Sequence, residues 1–501
     1  MSQTCDAPQT VFQRLLNVVE RVGNKVPHPA VLFFALMVVV VLLSAALAGS
    51  SVSYQRINPE THKAEEATTA VRSLLSAEGI GFIFTSVVPN FVNFGPVGII
   101  LVAMIGIGLA ERAGLIQALI RKIVIVAPGS AMTAIIFTLG VLSSIASDAG
   151  YLVLIPLGAA AFRSLGRHPF AGLAAAFAGV AAAFGVNFLV KPIDGILAEM
   201  TNDAIHLVDP SKSIALTANF YFGIASSVLL IAVCTFVTSW LVEPRLGTYQ
   251  GDSPSGEKQG LSGEELRGLL FALVALVGVV LVLSLLAFPR GAPLRNQQTG
   301  SLIEDSPFMA SLVFIIMLAF LACGLAYGIG AKTLKSVDDA IDAITKTFAD
   351  LGGLLFLFFV ISQFVAYFNY SNIGTILAVH LADMLQKSNL GNVSLLLGFI
   401  LIGFFLCFPL PNILPKWAIM APIFVPMFMK LEVGPDVVLA AYRVSDSPPN
   451  VINPLLPHFA LVVGFAQVYD KKAGVGTIVA LMLPYTVVTA IAWILIFFAW
   501  Y

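Results

Sequence analysis

The chain has 501 residues, 58% of them hydrophobic and only 11% charged, with a formal net charge of -1. A composition this apolar excludes both a soluble globular domain and a disordered chain, and with no basic excess to neutralise a phosphate backbone it excludes nucleic acid as a partner. Four cysteines, Cys5, Cys234, Cys323 and Cys407, are scattered without metal-ligand spacing, so neither a zinc site nor a disulfide framework is expected.

An integral membrane protein remains, and a hydrocarbon core ~30 Å thick needs roughly 20 apolar residues per crossing. A polar N-terminus, 1–28, precedes a first span at 29–49 that lacks a small-residue cleavage site. Segment 50–78 is acidic, 79–93 reads as an amphipathic helix along the interface, and 94–112 is a second span. The apolar stretch 129–162 is interrupted midway by polar residues and reads as a re-entrant hairpin of two half-length helices. A broken span at 170–205 and a continuous one at 215–242 follow, then a polar linker, 243–267. Spans at 268–288 and 307–328 lead through a loop to a span at 350–369 and a second interface helix at 372–388. A second hairpin, 391–430, has a proline-rich tip, and a broken span, 436–468, and a last span, 475–500, complete the chain.

These elements predict an all-α polytopic membrane protein with about nine transmembrane helices plus two re-entrant hairpins. The basic groups Arg14/Arg21/Lys25, Arg112/Arg121/Lys122, Arg163/Arg167, Lys332/Lys335 and Lys471/Lys472 then all fall on the cytoplasmic side, with the C-terminus outside. The first half, 29–242, contains the order span, hairpin, broken span, span. Residues 268–349 hold two scaffold spans and a cytoplasmic loop, and 350–501 repeats the order of the first half with opposite orientation. That is an inverted repeat with broken helices, whose interruptions point to the binding site of a secondary transporter.

The interruptions carry the chemistry. The first reads Asn187-Phe188-Leu189-Val190-Lys191-Pro192-Ile193-Asp194, and the second runs from Arg443 to Pro454 through Asp446, Pro448, Pro449 and Asn450. Proline removes a backbone donor, and a break at membrane depth survives where it lines a site. Burial favours the neutral form of a carboxyl, so Asp194 suits a group that loads and releases a proton; the competing reading pairs it statically with Lys191, three residues earlier. Arg443 suits capture of a carboxylate or sulfonyl group, or a static pair with Asp446. Asn187 offers an amide to substrate or sodium. Trp417, just past the second tip, can stack on an aromatic ligand or simply pack. Ser143, Ser144 and Ser147 at the first tip bind an ion or cap helix ends, and Asp148 beside them is a rare intramembrane carboxylate. No metalloprotease, nucleophile-elbow or phosphate-loop pattern supports an enzyme.

The chain resembles the AbgT family of aminobenzoyl-glutamate transporters at Ser147-Asp148-Ala149-Gly150-Tyr151, Leu165-Gly166-Arg167-His168-Pro169, Lys416-Trp417-Ala418-Ile419-Met420, Ala441-Tyr442-Arg443 and Ala473-Gly474-Val475-Gly476-Thr477. The resemblance implies a homodimer in the bacterial inner membrane and transport of p-aminobenzoyl-glutamate, or of p-aminobenzoic acid and sulfonamides driven by the proton gradient. It places functional residues on Asp194, Trp417, Pro435 and Arg443. The chain departs from the family pattern at the second tip, which has Asn412-Ile413-Leu414-Pro415 where small polar residues are usual, and at the first break, where Lys191 and Pro192 precede Ile193-Asp194. A sodium site, the one cofactor considered, then leans on Ser143, Ser144, Asn187, Asp446 and Asn450. The expected function is export of an aromatic carboxylate or sulfonamide coupled to protons, with Trp417 on the ring, Arg443 on the anionic group, Asp194 carrying the proton and Pro435 shaping the helix that enters the site. The alternatives are an importer of p-aminobenzoyl-glutamate and a passive anion channel.

Overall fold

The computed structural model describes residues 29–57, 64–145, 150–249, 260–302, 306–387 and 391–501. Cys5, Arg14, Arg21 and Lys25, the tip residues Ser147 and Asp148, and residues 250–259 of the polar linker lie outside them. Seven apolar helical runs coincide with expected spans: Pro29–Ala46, Ala77–Ala113, Phe220–Leu246, Gly263–Ala287, Leu312–Ala331, Gly352–Tyr370 and Val475–Trp500. The two broken spans do not pass as single helices because each half is only 9 to 14 residues long. An eighth run long enough to cross, Ile413–Lys430, is the second arm of the second hairpin.

Some segments read as loops are structured. Within the acidic segment, Ser51–Ile57 and Ala64–Ala70 form an antiparallel ladder with Ser51 opposite Ala70. Leu115–Val126 and Val337–Asp350 are amphipathic helices. Gly114 separates the first of these from the preceding helix at φ 93, a left-handed conformation that favours glycine. The second begins with a capping box in which Ser336 and Asp339 satisfy each other's backbone N–H groups. A separate helix, Ala77–Val92, stands where the interface helix was expected at 79–93, divided from the span Gly95–Ala113 by Asn93 and the extended Phe94. At ~1.5 Å per residue the 19 residues of Gly95–Ala113 reach roughly 28 Å, about the hydrocarbon thickness on their own.

Close packing fixes the layout. Leu312–Ala331 lies against both Gly95–Ala113 and Gly263–Ala287. A Cβ on Gly324 would sit 2.8 Å from the Ala110 Cα, so only glycine permits that approach. The same device seats the first hairpin on the first broken span, since a Cβ on Gly140 would lie 2.5 Å from the Gly179 carbonyl carbon. Arg167 then ties three elements together. It donates to both carboxylate oxygens of Glu243 at 2.8 and 2.6 Å and to Thr133 Oγ1 at 2.9 Å.

Candidate functional site: two broken helices and a shared cavity

Each broken span begins with proline at its first helical position, Pro169 and Pro435, where the missing N–H is no loss. The first runs through Pro169–Phe177 and a π-helical turn, Ala178–Ala182, leaves the helix, and resumes with Pro192–Ile205. The second runs through Pro435–Asp446 and a 3₁₀ turn, Pro448–Ile452, and resumes at Phe459–Gln467. The exposed backbone groups at these breaks need partners, because no water replaces them in lipid.

One asparagine per break supplies them, and the two do so in the same way. Asn187 Nδ2 donates to the Val141 carbonyl of the first hairpin at 2.7 Å, while its Oδ1 accepts the Leu189 N–H at 3.1 Å. Asn453 Nδ2 donates to the Cys407 carbonyl of the second hairpin at 2.8 Å, while its Oδ1 accepts the Leu455 N–H at 3.1 Å. Each break is thus latched to its own hairpin by an equivalent asparagine, which is the inverted repeat expressed in hydrogen bonds. Asn453 was not among the expected site residues. A sequence signal that could have found it is the shared Asn-x-Leu, at Asn187-Phe188-Leu189 and Asn453-Pro454-Leu455.

The charged residues pair across the fold rather than along the helix. Asp194 Oδ1 lies 2.6 Å from Arg443 Nη1, so a carboxylate at the first break meets a guanidinium entering the second. Both are largely buried, with side-chain exposures of 13% and 7%. Arg443 Nη1 also donates to the Gly185 carbonyl at 3.0 Å, and the Gly185 N–H donates to Ser447 Oγ at 2.8 Å. The other oxygen of Asp194 accepts the Lys191 backbone N–H at 2.8 Å, so the contact between these two residues is a helix cap and not an ion pair. The pairing of Arg443 with Asp446 is likewise replaced. Asp446 Oδ1 lies 2.7 Å from Lys416 Nζ on the second hairpin, both side chains being fully buried. That contact is off the hydrogen-bond direction, and Asp446 Oδ2 and Arg443 Nε have no hydrogen-bond partner among the described residues.

Lys191, expected only as a partner for Asp194, points elsewhere. Its Nζ donates to the Phe184 carbonyl at 2.5 Å and to Ser144 Oγ at 3.3 Å, and sits 5.1 Å from the centroid of the Phe184 ring. Of the five residues expected to hold a cation, only Ser144 and Asn187 touch one another, at 3.1 Å. Ser143 and Ser144 donate to Gly140 O and Val141 O, Asp446 faces Lys416, and Asn450 Oδ1 accepts from the Cys407 thiol. A lysine ammonium stands beside Ser144 at the first tip.

Trp417 does not face open space. It is completely buried, stacked on Tyr442 with centroids 4.4 Å apart, and its indole N–H donates to Thr201 Oγ1 at 3.1 Å. Pro435 lies at the start of its helix, eight residues before Arg443, or roughly 12 Å at ~1.5 Å per residue. The space between the two tips is a cavity of about 250 Å³ whose lining includes Ser144, Lys191, Asp446, Asn450, Tyr151 and His458. Tyr151 and His458 stack there at 4.2 Å. Asp194 and Arg443 border a different and much smaller space of about 20 Å³, together with Asn219 and Phe220.

The sequence profile described as "AbgT putative transporter family" matches residues 14–501. The chain belongs to the AbgT transporter family. It is 35% identical over 488 residues to the p-aminobenzoyl-glutamate transport protein of Escherichia coli (strain K12), covering 97% of this chain and 94% of the relative. The fold matches the Alcanivorax borkumensis YdaH transporter, described as having an unusual topology, with TM-score 0.88 and 39% identity over 95% and 98% of the two chains. It also matches Neisseria gonorrhoeae MtrF, described with a class of antimetabolite efflux pumps, with TM-score 0.90 and 39% identity over 97% of each chain. The AbgT protein described here is therefore a multi-pass membrane transporter of small molecules.

Proposed function

We propose that this protein exports p-aminobenzoate- or sulfonamide-type aromatic acids across the inner membrane in exchange for protons, as a homodimer working by alternating access. The Asp194–Arg443 pair carries the proposal, because it joins the two breaks across 249 residues of chain. Protonating Asp194 removes the charge that holds Arg443, and each partner left uncompensated is costly in a low-dielectric interior. The pair is thus a link between the two repeats that a proton can loosen, in a site where intramembrane carboxylates generally serve proton relays. With the N-terminus cytoplasmic and the C-terminus periplasmic, Asn219, bonded to the last residue, Tyr501, marks the periplasmic side of the pair. The larger cavity, bordered by Leu354 at the start of its helix, then lies toward the cytoplasmic side of the pair. Coupling to protons rather than sodium is favoured by the lysine ammonium standing at the first tip.

The E. coli relative's description favours a second reading, movement of p-aminobenzoyl-glutamate, which for folate salvage means import. Cellular accumulation of radiolabelled p-aminobenzoate with and without a protonophore separates the two. Lower accumulation in cells expressing the wild type, cancelled by the protonophore and by Asp194→Ala, is the expected result. Raised accumulation makes the protein an importer, and flux that simply follows the substrate gradient makes it a channel.

A further inference from the structure

We infer that Lys191 is the counter-ion for the substrate's carboxylate, in a site built for a single-ring aromatic monoanion between the two hairpin tips. The inference rests on the reading of the protein as a carrier of aromatic acids and names the residue that selects for their charge.

Charge balance among the described residues around the cavity is the first support. The two breaks and the second hairpin contribute three cations, Lys191, Arg443 and Lys416, against two carboxylates, Asp194 and Asp446. Each carboxylate is already matched, Asp194 to Arg443 at 2.6 Å and Asp446 to Lys416 at 2.7 Å. Lys191 has no carboxylate within 4 Å among the described residues, although it is only 1% exposed. A buried ammonium without an opposite charge is an incomplete site, and neutral oxygens from Ser144 and Phe184 meet only part of its need. An ammonium has three donors, of which these oxygens take two. Counted over the described residues, the cluster is one negative charge short.

Position is the second support. Lys191 lines the cavity of about 250 Å³, whereas Arg443, the other cation suited to an anionic group, does not border it and is held by Asp194 and Gly185. Aromatic side chains line the same space, Phe184 and the stacked pair Tyr151 and His458, so a ring has apolar neighbours while its acid group reaches the ammonium. The volume is a little under the roughly 300–1,000 Å³ of pockets for drug-sized ligands, which suits one ring and a carboxylate better than a larger conjugate. Trp417, by contrast, has one face on Tyr442 and no exposure to the cavity.

The test is equilibrium binding of p-aminobenzoate and of its neutral isostere p-aminobenzamide to the purified full-length protein, comparing wild type with Lys191→Met and Lys191→Arg. The wild type should prefer the acid by about tenfold to a hundredfold, the range of a charge-assisted hydrogen bond. Lys191→Met should bind both compounds alike, at the affinity the wild type shows for the amide, and Lys191→Arg should keep a preference for the acid. A wild type that binds acid and amide equally overturns the inference even if Lys191→Met fails to fold. A preference that persists in folded Lys191→Met assigns the charge to another residue and overturns it while leaving transport of aromatic acids standing. A wild type that binds neither compound overturns both.

Discussion

The two broken spans share a framework and differ in what they carry. Both start with proline at the first helical position, both lose helical structure midway, and both are latched to their own hairpin by an asparagine that donates to a hairpin carbonyl and accepts from the N–H two residues on. The chemistry is distributed unequally. The first break holds Asp194 and Lys191 beside hydroxyl groups, whereas the second holds Arg443 and Asp446 against a tip of Pro409, Pro411 and Pro415. An inverted repeat needs the same backbone on both sides to exchange conformations. It does not need the same side chains, and here the halves are complementary, since the acid of one pairs with the base of the other.

The largest expected effect comes from cutting that complementary pair. Asp194→Ala or Arg443→Ala leaves one buried charge unmatched, a loss of about 3–5 kcal/mol in stability by analogy with other buried pairs. Transport should fall to background in either variant. The double variant should be less destabilised than the sum of the two, and additivity in a thermal-unfolding cycle would show that the two residues do not interact.

The latches come next. Asn187→Ala and Asn453→Ala each remove a buried hydrogen bond to a hairpin carbonyl and leave an N–H without its side-chain acceptor, and each should lower stability by about 1–3 kcal/mol. Near-equal losses in detergent-solubilised protein confirm that the two latches are equivalents; a silent Asn453→Ala would show that only the first break is held this way.

A smaller effect is expected at Trp417. Phe in its place keeps the packing on Tyr442 and removes the hydrogen bond to Thr201, so stability should drop by about 1 kcal/mol with substrate affinity unchanged. A tenfold loss of affinity for p-aminobenzoate in Trp417→Phe would restore the indole to the binding site.

The smallest is a pH effect confined to the first broken span. His168 Nδ1 accepts the Phe170 N–H as that span's N-cap, and burial holds the His168 imidazole below its usual pKa of about 6.5, partly offset by Glu243. Since the folded pKa is lowered, the cap contributes fully above pH ~6.5 and is lost as the pH falls through the lower folded value. The second broken span starts at Gly434, which has no side-chain cap. Unfolding temperature should therefore fall between pH 7.5 and 5.5 by slightly more in the wild type than in His168→Asn, which caps without titrating in this range. Identical pH profiles would remove the cap from the comparison.

Much of this was legible in the sequence. Proline and charge inside apolar runs have few permitted meanings in a bilayer, so both breaks, both hairpins and Asp194 and Arg443 stood out. The pairing of the charges was not legible. Spacing along a helix suggests neighbours three residues away, but the partners that form lie 249 residues apart for Asp194 and 30 apart for Asp446. Trp417 was misplaced for a related reason, because an aromatic residue beside a tip looks the same whether it faces the cavity or packs behind it. The latch of Asn453 stayed hidden because a single amide among prolines reads as part of a turn. Short amphipathic helices such as Leu115–Val126 lacked the length that marks a span.

The most direct test of the coupling role given to Asp194 is proton movement in proteoliposomes loaded with p-aminobenzoate and a pH-sensitive dye. Outward flow of p-aminobenzoate through the wild type should acidify the lumen, and Asp194→Asn, reconstituted as folded protein, should abolish that acidification. Undiminished acidification in Asp194→Asn would contradict the account.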